Sequence, residues 1–168
     1  MSLTTSRPDK KHKILFVCLG NICRSPAAEG IMRAKVAEAG FGEHYTIDSA
    51  GTYGGHSGEL PDPRMRKAAA ARGYDLTHKA RQFRSGDFGK FDRIIVMDDS
   101  NYDSVCRLAP DPDALGKVYR MASFLTRHRT DHIPDPYYEG RLGFEYVLDL
   151  LEDGCEGVLK GMDENQNP

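Results

Sequence analysis

Residues 13–30 read KILFVCLGNICRSPAAEG and pass from an apolar run, through a short loop, into a helical segment. The run KILFVC at residues 13–18 is continuous in apolar residues, which is typical of a parallel strand buried on both faces. The helical pattern begins at Pro26. We predict Ser25 as its N-cap, Pro26 as its first residue and Gly40 as its stop.

The rest of the chain repeats this alternation. Further strands are predicted at residues 45–51, 93–98 and 117–124, and helices at residues 64–73, 99–109 and 143–162. Strands that alternate with helices form a parallel sheet covered on both faces. We therefore predict one α/β domain over residues 12–163, with three α/β/α layers and four parallel strands in a flavodoxin-like order. Residues 1–11 are expected to form a flexible arm and residues 164–168 a tail.

The composition excludes several classes of protein. The 168 residues include 23 basic and 25 acidic side chains, a formal net charge of -2, so the chain lacks the strongly basic balance of nucleic-acid-binding proteins. No apolar run is long enough to span a membrane. The four cysteines follow no secreted disulfide pattern, and the N-terminus has no apolar signal region. We expect a cytoplasmic monomer that binds neither nucleic acid nor membrane.

The loop at residues 18–25 lies where an open α/β sheet binds its ligands, beyond the carboxyl end of a strand. A short loop that leads into a helix N-terminus directs several backbone N–H groups toward one point, which favours an oxyanion. Gly20 permits a positive φ there at little cost. The loop matches neither G-x-x-x-x-G-K-[ST] nor G-x-G-x-x-G, so nucleotide binding is disfavoured.

Cys18 and Arg24 give this loop its chemistry. A planar guanidinium can hold two oxygens of a tetrahedral oxyanion. A thiol beside a guanidinium and a helix N-terminus is expected to be a nucleophilic thiolate at neutral pH. The same positive groups would stabilise charge on a phosphoryl group during transfer.

The sequence CLGNICRSP at residues 18–26, with DPYY at residues 135–138, resembles the low-molecular-weight protein tyrosine phosphatase family. The loop has that family's C-x5-R-[ST] signature, and the resemblance extends over nearly the whole chain after the arm. It implies a phosphotyrosine phosphatase I-like fold and hydrolysis of phosphotyrosine or aryl phosphate through a cysteinyl-phosphate. The substrate would be a phosphotyrosine-containing protein or a small aryl phosphate, and the loop would hold phosphate or sulfate. No cofactor or metal is implied. The implied substrate-binding residues are Leu19, Gly20, Asn21, Ile22, Cys23, Ser25, Tyr53, Tyr137 and Tyr138.

A general acid is also needed to protonate the leaving oxygen. Asp135 lies between two prolines after the last predicted strand, at the sheet edge where Cys18 is expected. An aspartate before a proline is more often a turn residue, and Asp62 and Asp111 are competing examples. The resemblance favours Asp135, because the paired tyrosines follow it.

Four further residues match family positions that brace the loop: Asn21, Ser25, Ser49 and His78. Ser25 would donate to the thiolate, and Asn21 would hold a strained backbone. The six histidines have no metal-ligand spacing.

The sequence indicates less reactive roles for the other three cysteines. From the sequence alone, Cys23 is equally an apolar filler or a thiol beside Cys18, and the resemblance favours a redox partner. Cys106 and Cys155 lie in helical patterns and are expected to be inert.

One departure from the family pattern concerns substrate preference. Gly55 falls where the family often has an aromatic residue, and Tyr53 is the nearest replacement, so the preference for flat aromatic esters is in doubt.

Two alternatives remain. A thiol-dependent arsenate reductase of the same fold would need a further redox pair of cysteines. A non-catalytic phosphate-binding module would dispense with Cys18 and Asp135.

Overall fold

The computed structural model describes residues 11–165 of the chain. The predicted arm therefore lies outside the described residues except for Lys11. Of the predicted tail, residues 164 and 165 belong to the last helix, and residues 166–168 lie outside the description.

The structure has four strands and five α-helices in the described residues, in the alternating order that the sequence predicts. Three short 3₁₀ turns and one four-residue helix were not predicted, because segments this short carry no hydrophobic period. The strands are β1 (His12–Cys18), β2 (Tyr45–Gly51), β3 (Arg93–Val96) and β4 (Val118–Arg120); the helices are α1 (Arg24–Glu38), α2 (Pro63–Ala70), α3 (Asp99–Cys106), α4 (Pro112–Leu115) and α5 (Arg141–Asn165). The 3₁₀ turns cover Gly42–His44, Ser85–Gly89 and Met121–Phe124.

All strand pairs are parallel, and the order across the sheet is β2-β1-β3-β4. This confirms the predicted four-stranded parallel α/β sheet. The strand β1 lies at the centre and pairs with β2 on one side and β3 on the other. Cys18, its last residue, is paired in register with Gly51 of β2. The strand that ends at the loop is therefore paired along both of its edges.

The residues of β1 alternate between two cores. Ile14, Phe16 and Cys18 pack against the cluster that includes α1, α2 and α5. Leu15 and Val17 pack on the opposite face, against the side of α3 and α4. The continuous apolar run predicts this arrangement, because a strand with helices on both faces needs apolar side chains in both directions. None of the helices in residues 11–165 has the length and apolar character needed to cross a bilayer.

The start of α1 differs from the prediction. The helix begins at Arg24 with Cys23 as the N-cap residue, and no side chain caps it. Ser25 was wrong as the N-cap, because its hydroxyl is directed toward Cys18 and is not available to the helix backbone. The stop is as predicted: Gly40 follows the helix with a φ of 83°.

Candidate active site

Cys18 lies at the carboxyl end of β1 with its thiol beside the first turn of α1. The side chain is 2% exposed. Its Sγ atom lies 3.0 Å from the hydroxyl oxygen of Ser25 and accepts a 3.4 Å hydrogen bond from the Ser25 backbone N–H. Both contacts stabilise negative charge on sulfur more than a neutral thiol. The geometry therefore suits a thiolate nucleophile.

Asn21 holds the 18–25 loop in its strained shape. It has a φ of 59° and is the single non-glycine residue with positive φ among residues 11–165. Gly20 would permit this conformation, but the structure has it at Asn21; an asparagine tolerates it because its short polar side chain hydrogen-bonds locally. Asn21 thus supplies a hydrogen-bonding side chain at a position where a glycine would have none.

The Asn21 side chain is fully buried and uses its amide in four hydrogen bonds. Its Nδ2 donates to Ser25 Oγ at 2.8 Å and to Ser49 Oγ at 3.0 Å. Its Oδ1 accepts from the Arg81 backbone N–H and from His78 Nε2, both at 2.9 Å. These bonds tie the loop to β2, α1 and the segment at residues 78–81.

The side chains of Ser49, Glu29, His78 and Asp48 form a network of polar contacts behind Asn21. Ser49 donates from its hydroxyl to Glu29 Oε1 at 2.7 Å, and His78 Nδ1 lies 3.2 Å from the same oxygen. His78 Nδ1 also lies 3.4 Å from Asp48 Oδ1. The atoms of Glu29, Asp48 and His78 lie close enough to bind a metal ion. His78 Nδ1 faces the Glu29 and Asp48 oxygens, and Nε2 faces Asn21 Oδ1.

Arg24 is the largest fully buried side chain of the described residues. Its Nη1 donates to Asp98 Oδ2 at 2.7 Å and to the carbonyl oxygen of Ile133 at 2.9 Å. Burial acts to lower the pKa of the guanidinium, but the negative charges of Cys18 and Asp98 outweigh it and raise the pKa. The side chain is therefore always charged, and its orientation is fixed before any ligand binds.

Asp135 lies at the entrance of the same cleft, and its side chain is 40% exposed. Its Oδ2 lies 3.7 Å from Arg24 Nη2, and its Oδ1 accepts a 3.1 Å hydrogen bond from the Tyr137 backbone N–H. The segment is fastened to the sheet edge by the Ile133 N–H, which donates to the Met97 carbonyl at 2.8 Å. The structure therefore brings the predicted nucleophile, arginine and acid together.

The competing Asp-Pro residues have the structural role that turn chemistry predicts. Asp62 caps α2 by accepting from the Arg64 N–H at 2.8 Å, and Asp111 caps α4 by accepting from the Ala114 N–H at 2.8 Å. Neither carboxylate lines the cleft.

The cleft has a volume of about 250 Å³. Tyr137 and Tyr138 meet edge to face on its wall, with ring centroids 5.0 Å apart, and Tyr138 is 91% exposed. Asn21 and Ser25, which were predicted to contact substrate, are buried and do not line it. The lining residues are Cys18, Leu19, Gly20, Ile22, Cys23, Arg24, Tyr53, His56, Asp135, Tyr137 and Tyr138.

Cys23 is buried on the same loop, and all four cysteines are free thiols. Burial and then the nearby Asp62 carboxylate raise the pKa of Cys23 well above its usual value. Cys23 therefore stays protonated in the resting protein and does not compete with Cys18 as a nucleophile.

Sequence reasoning missed Asp98, Glu29, Asp48 and His56 as parts of the site. Asp98 follows β3 at the sheet edge that carries Cys18, and this position is the one feature of the sequence that could have indicated its place in the site. The pairing of Glu29 and Asp48 with His78 follows from the packing of α1 beside β2, which no local pattern encodes.

Comparisons with known proteins agree with this geometry. The profile of the family described as low molecular weight phosphotyrosine protein phosphatase matches residues 13–167. A low molecular weight protein-tyrosine-phosphatase of Streptomyces coelicolor is 41% identical over 155 residues, which cover 91% of this chain and 94% of that protein. The crystal structure of a protein tyrosine phosphatase from Entamoeba histolytica, with Hepes in the active site, superposes with a TM-score of 0.90 at 43% identity and covers 93% of this chain and 99% of its own. Vibrio vulnificus Wzb in complex with benzylphosphonate superposes with a TM-score of 0.77 at 26% identity, covering 89% and 98%.

Proposed function

The chain belongs to the low molecular weight phosphotyrosine protein phosphatase family and is a protein tyrosine phosphatase, and we propose that Cys18, Arg24 and Asp135 are its catalytic residues. The observation that carries this proposal is the convergence of the three side chains at one cleft. Cys18 Sγ lies at its base, the buried Arg24 guanidinium beside it, and Asp135 at its entrance.

In the first step the Cys18 thiolate attacks phosphorus and the ester P–O bond breaks. Asp135, in its acid form, transfers a proton to the departing oxygen, so that a neutral phenol leaves. Arg24 and the backbone N–H groups of the 18–25 loop hold the equatorial oxygens of the phosphoryl group. The products are the phenol and a cysteinyl-phosphate.

In the second step Asp135, now a carboxylate, accepts a proton from a water molecule. The water oxygen attacks phosphorus and the S–P bond breaks, which returns the thiolate and releases inorganic phosphate. Ser25 stabilises the departing thiolate through its hydroxyl and its N–H, both of which already lie against Sγ.

The substrate of this chain is proposed to be a phosphotyrosine-containing protein or a small aryl phosphate. Phosphate or sulfate is expected in the loop, in keeping with the Hepes and benzylphosphonate complexes of the two relatives. The cleft is complete within one chain, which supports a monomer. The reaction needs a reduced Cys18, which supports a location in the reducing cytoplasm. Cys23, on the same loop, supports redox regulation of Cys18.

The reductase alternative is disfavoured by the positions of the remaining cysteines. Cys155 is buried in the core beside α1, and Cys106 packs with the core on the opposite face of the sheet. The two thiols are separated by the sheet and cannot form a redox pair. A non-catalytic binding module is disfavoured because Cys18 and Asp135 are both present and both reach the cleft.

The test is hydrolysis of an aryl phosphate in the presence of a chelator by the wild type, Cys18→Ser and Cys106→Ser. We expect turnover to be lost in Cys18→Ser alone, and rapid quenching of the wild type to trap a ³²P-labelled cysteinyl-phosphate. Substantial hydrolysis by verified Cys18→Ser protein would contradict the assignment.

A leaving-group series separates the acid from the nucleophile. Asp135→Ala is expected to lower the rate about 10²- to 10⁴-fold for tyrosine as leaving group, and clearly less for a very acidic phenol. Asp111→Ala, another aspartate before a proline, is the matched control. An equal loss for every phenol would mean that Asp135 is not the acid.

A further inference from the structure

A second groove opens between α2 and the start of α5. Its volume is about 480 Å³, against about 250 Å³ for the cleft. It is lined by one face of α2, by residues 139–141, and by Phe144 and Glu145 of α5. None of its lining residues lines the cleft, so the mechanism proposed above leaves this groove without a role.

The groove adjoins the catalytic cleft along one short segment. Tyr137 and Tyr138 line the cleft, and residues 139–141, which follow them directly, line the groove. Arg64 contacts both sides, because its guanidinium carbon lies 5.2 Å from the centre of the Tyr137 ring and 4.8 Å from that of Phe144. A ligand chain that leaves the cleft past Tyr138 therefore reaches the groove at once.

The part of the groove nearest the cleft carries unpaired positive charge. Lys67 and Arg141 line it, and neither forms an ion pair with another residue in the range 11–165. The third cation, Arg64, is paired with Asp62 at 2.8 Å. Glu139 is the nearby carboxylate of the groove. Two free cations therefore face one carboxylate here, which favours an anionic ligand group.

The far end of the groove has the opposite charge. Arg72, which follows α2, is shared by three carboxylates of α5 at 2.7 to 2.9 Å, those of Glu145, Asp149 and Glu152. One guanidinium cannot neutralise three carboxylates. Because a helix rises about 1.5 Å per residue, Glu152 lies about 16 Å along α5 from Arg141. An acidic ligand group is therefore attracted to the near part of the groove and repelled from the far end.

Exposed apolar side chains mark the same surface. Tyr138 and Leu142 are 91% and 77% exposed, the two highest values among the large hydrophobic residues of the described chain. They flank residues 139–141, and Ala68 and Phe144 add apolar atoms to the groove itself. Exposed apolar groups that cluster in this way indicate a surface that binds another molecule.

We propose that this groove binds the polypeptide that flanks the phosphotyrosine of a protein substrate, with an acidic side chain of that polypeptide at Lys67 and Arg141. The inference rests on the phosphatase function proposed above, and it favours a phosphoprotein over a small aryl phosphate. From Tyr138 to Arg141 the chain spans at most about 11 Å, and an extended peptide advances about 3.3 Å per residue. The acidic residue is therefore expected about three or four positions from the phosphotyrosine.

Hydrolysis of matched substrates tests the groove separately from the chemistry. The substrates are p-nitrophenyl phosphate and three phosphotyrosine peptides of equal length. One peptide has only glycine, alanine and serine around the phosphotyrosine. The other two carry a pair of glutamates about three and four positions before it or after it. We expect kcat/KM to be about 2- to 5-fold higher for at least one glutamate peptide than for the neutral peptide, the effect of an exposed ion pair. High salt should reduce this preference.

The double variant Lys67→Glu/Arg141→Glu reverses the charge of the near part of the groove. It should abolish the preference, measured as the ratio of kcat/KM for the glutamate and neutral peptides. The control, Lys90→Glu/Arg107→Glu, makes the same change of net charge at exposed positions outside the cleft and the groove, and should keep the preference. Thermal unfolding checks that each variant is folded. Lys67→Gln/Arg141→Gln, which adds no negative charge, should also lose the preference and serves if the reversal unfolds the protein.

The outcomes separate the two proposals. If the wild type hydrolyses neither p-nitrophenyl phosphate nor any peptide, the proposed function fails. If it hydrolyses p-nitrophenyl phosphate but the glutamate peptides have no advantage, the role of the groove is wrong while the function stands. An advantage that survives in the folded Lys67 and Arg141 variants, or that the control loses equally, would also overturn the inference.

Discussion

Asp98 and Arg24 form a short ion pair, with 2.7 Å between Asp98 Oδ2 and Arg24 Nη1, beneath the cleft. The same carboxylate caps α3, because its Oδ1 accepts a 2.9 Å hydrogen bond from the Asn101 N–H. One side chain therefore fixes both the start of a helix and the orientation of the arginine that is proposed to hold phosphate.

Asp98→Asn separates these two roles, because asparagine can cap the helix but carries no charge. We expect kcat/KM for an aryl phosphate to fall about 10- to 100-fold, the effect of one lost charged hydrogen bond, with α3 intact. Asp111→Asn, at the equivalent cap of α4, should leave kcat/KM unchanged. Equal activity of the two variants would show that the Arg24 guanidinium is held without Asp98.

Asn21 allows backbone strain and hydrogen bonding to be measured separately. Asn21→Gly keeps the positive φ accessible and removes the four hydrogen bonds, which should lower the free energy of unfolding by about 2–4 kcal/mol. Asn21→Ala should cost about 1 kcal/mol more, because alanine disfavours the left-handed region. Urea unfolding of both variants measures the difference. Identical stabilities would show that the φ of 59° imposes no constraint on this position.

Asp153 of α5 predicts a specific pH dependence of stability. Burial acts to raise the pKa of this carboxyl, but hydrogen bonds from residues 126–128 outweigh it and hold the pKa well below its usual value. A lowered pKa in the folded state stabilises the protein above the unfolded value near pH 4, and this stabilisation is lost as the pH falls further.

Asp153→Asn should therefore lower the free energy of unfolding by about 2–3 kcal/mol at pH 7. The difference from wild type should shrink below about pH 4, where the Asp153 carboxyl of the unfolded wild type takes up a proton while that of the folded protein stays ionised. Denaturant unfolding between pH 7 and pH 3 measures it, with exposed Asp75→Asn as control. A difference that stays constant with pH would contradict the assignment.

Cys18 and Cys23 predict reversible inactivation by peroxide. Peroxide oxidises the Cys18 thiolate to a sulfenic acid, and the Cys23 sulfur then displaces its hydroxyl group, with its own proton leaving in the water released. The resulting disulfide protects Cys18 from further oxidation. A thiol reductant should restore most activity in the wild type and in Cys106→Ser, and far less in Cys23→Ser. Mass mapping should find the peptides of Cys18 and Cys23 linked; full recovery of Cys23→Ser would return Cys23 to a packing role.

The sequence predicts those parts of the site that are close together along the chain. Cys18, Arg24 and Ser25 belong to one strand, loop and helix, so a local pattern contains their geometry. Asp135 was predictable because it follows the last strand and precedes a tyrosine pair. The residues that were missed contact residues far away along the chain. Asp98 lies 74 residues from Arg24, and its local sequence pattern is that of a helix cap. The N-cap was wrong because the Ser25 hydroxyl contacts the Cys18 thiol and not the helix backbone.

The distant pairing of Arg24 also bears on how the protein is synthesised. Its guanidinium is oriented by Asp98 and by the Ile133 carbonyl, 74 and 109 residues later in the chain. The central strand β1 likewise cannot pair along both of its edges until β3 has been synthesised. Contacts so far apart in sequence form late and slowly. On the ribosome, Cys18 emerges long before the Asp98 carboxylate and the Ile133 carbonyl that orient Arg24. A nascent or truncated chain therefore lacks the arranged site, which can form only when translation has passed Ile133.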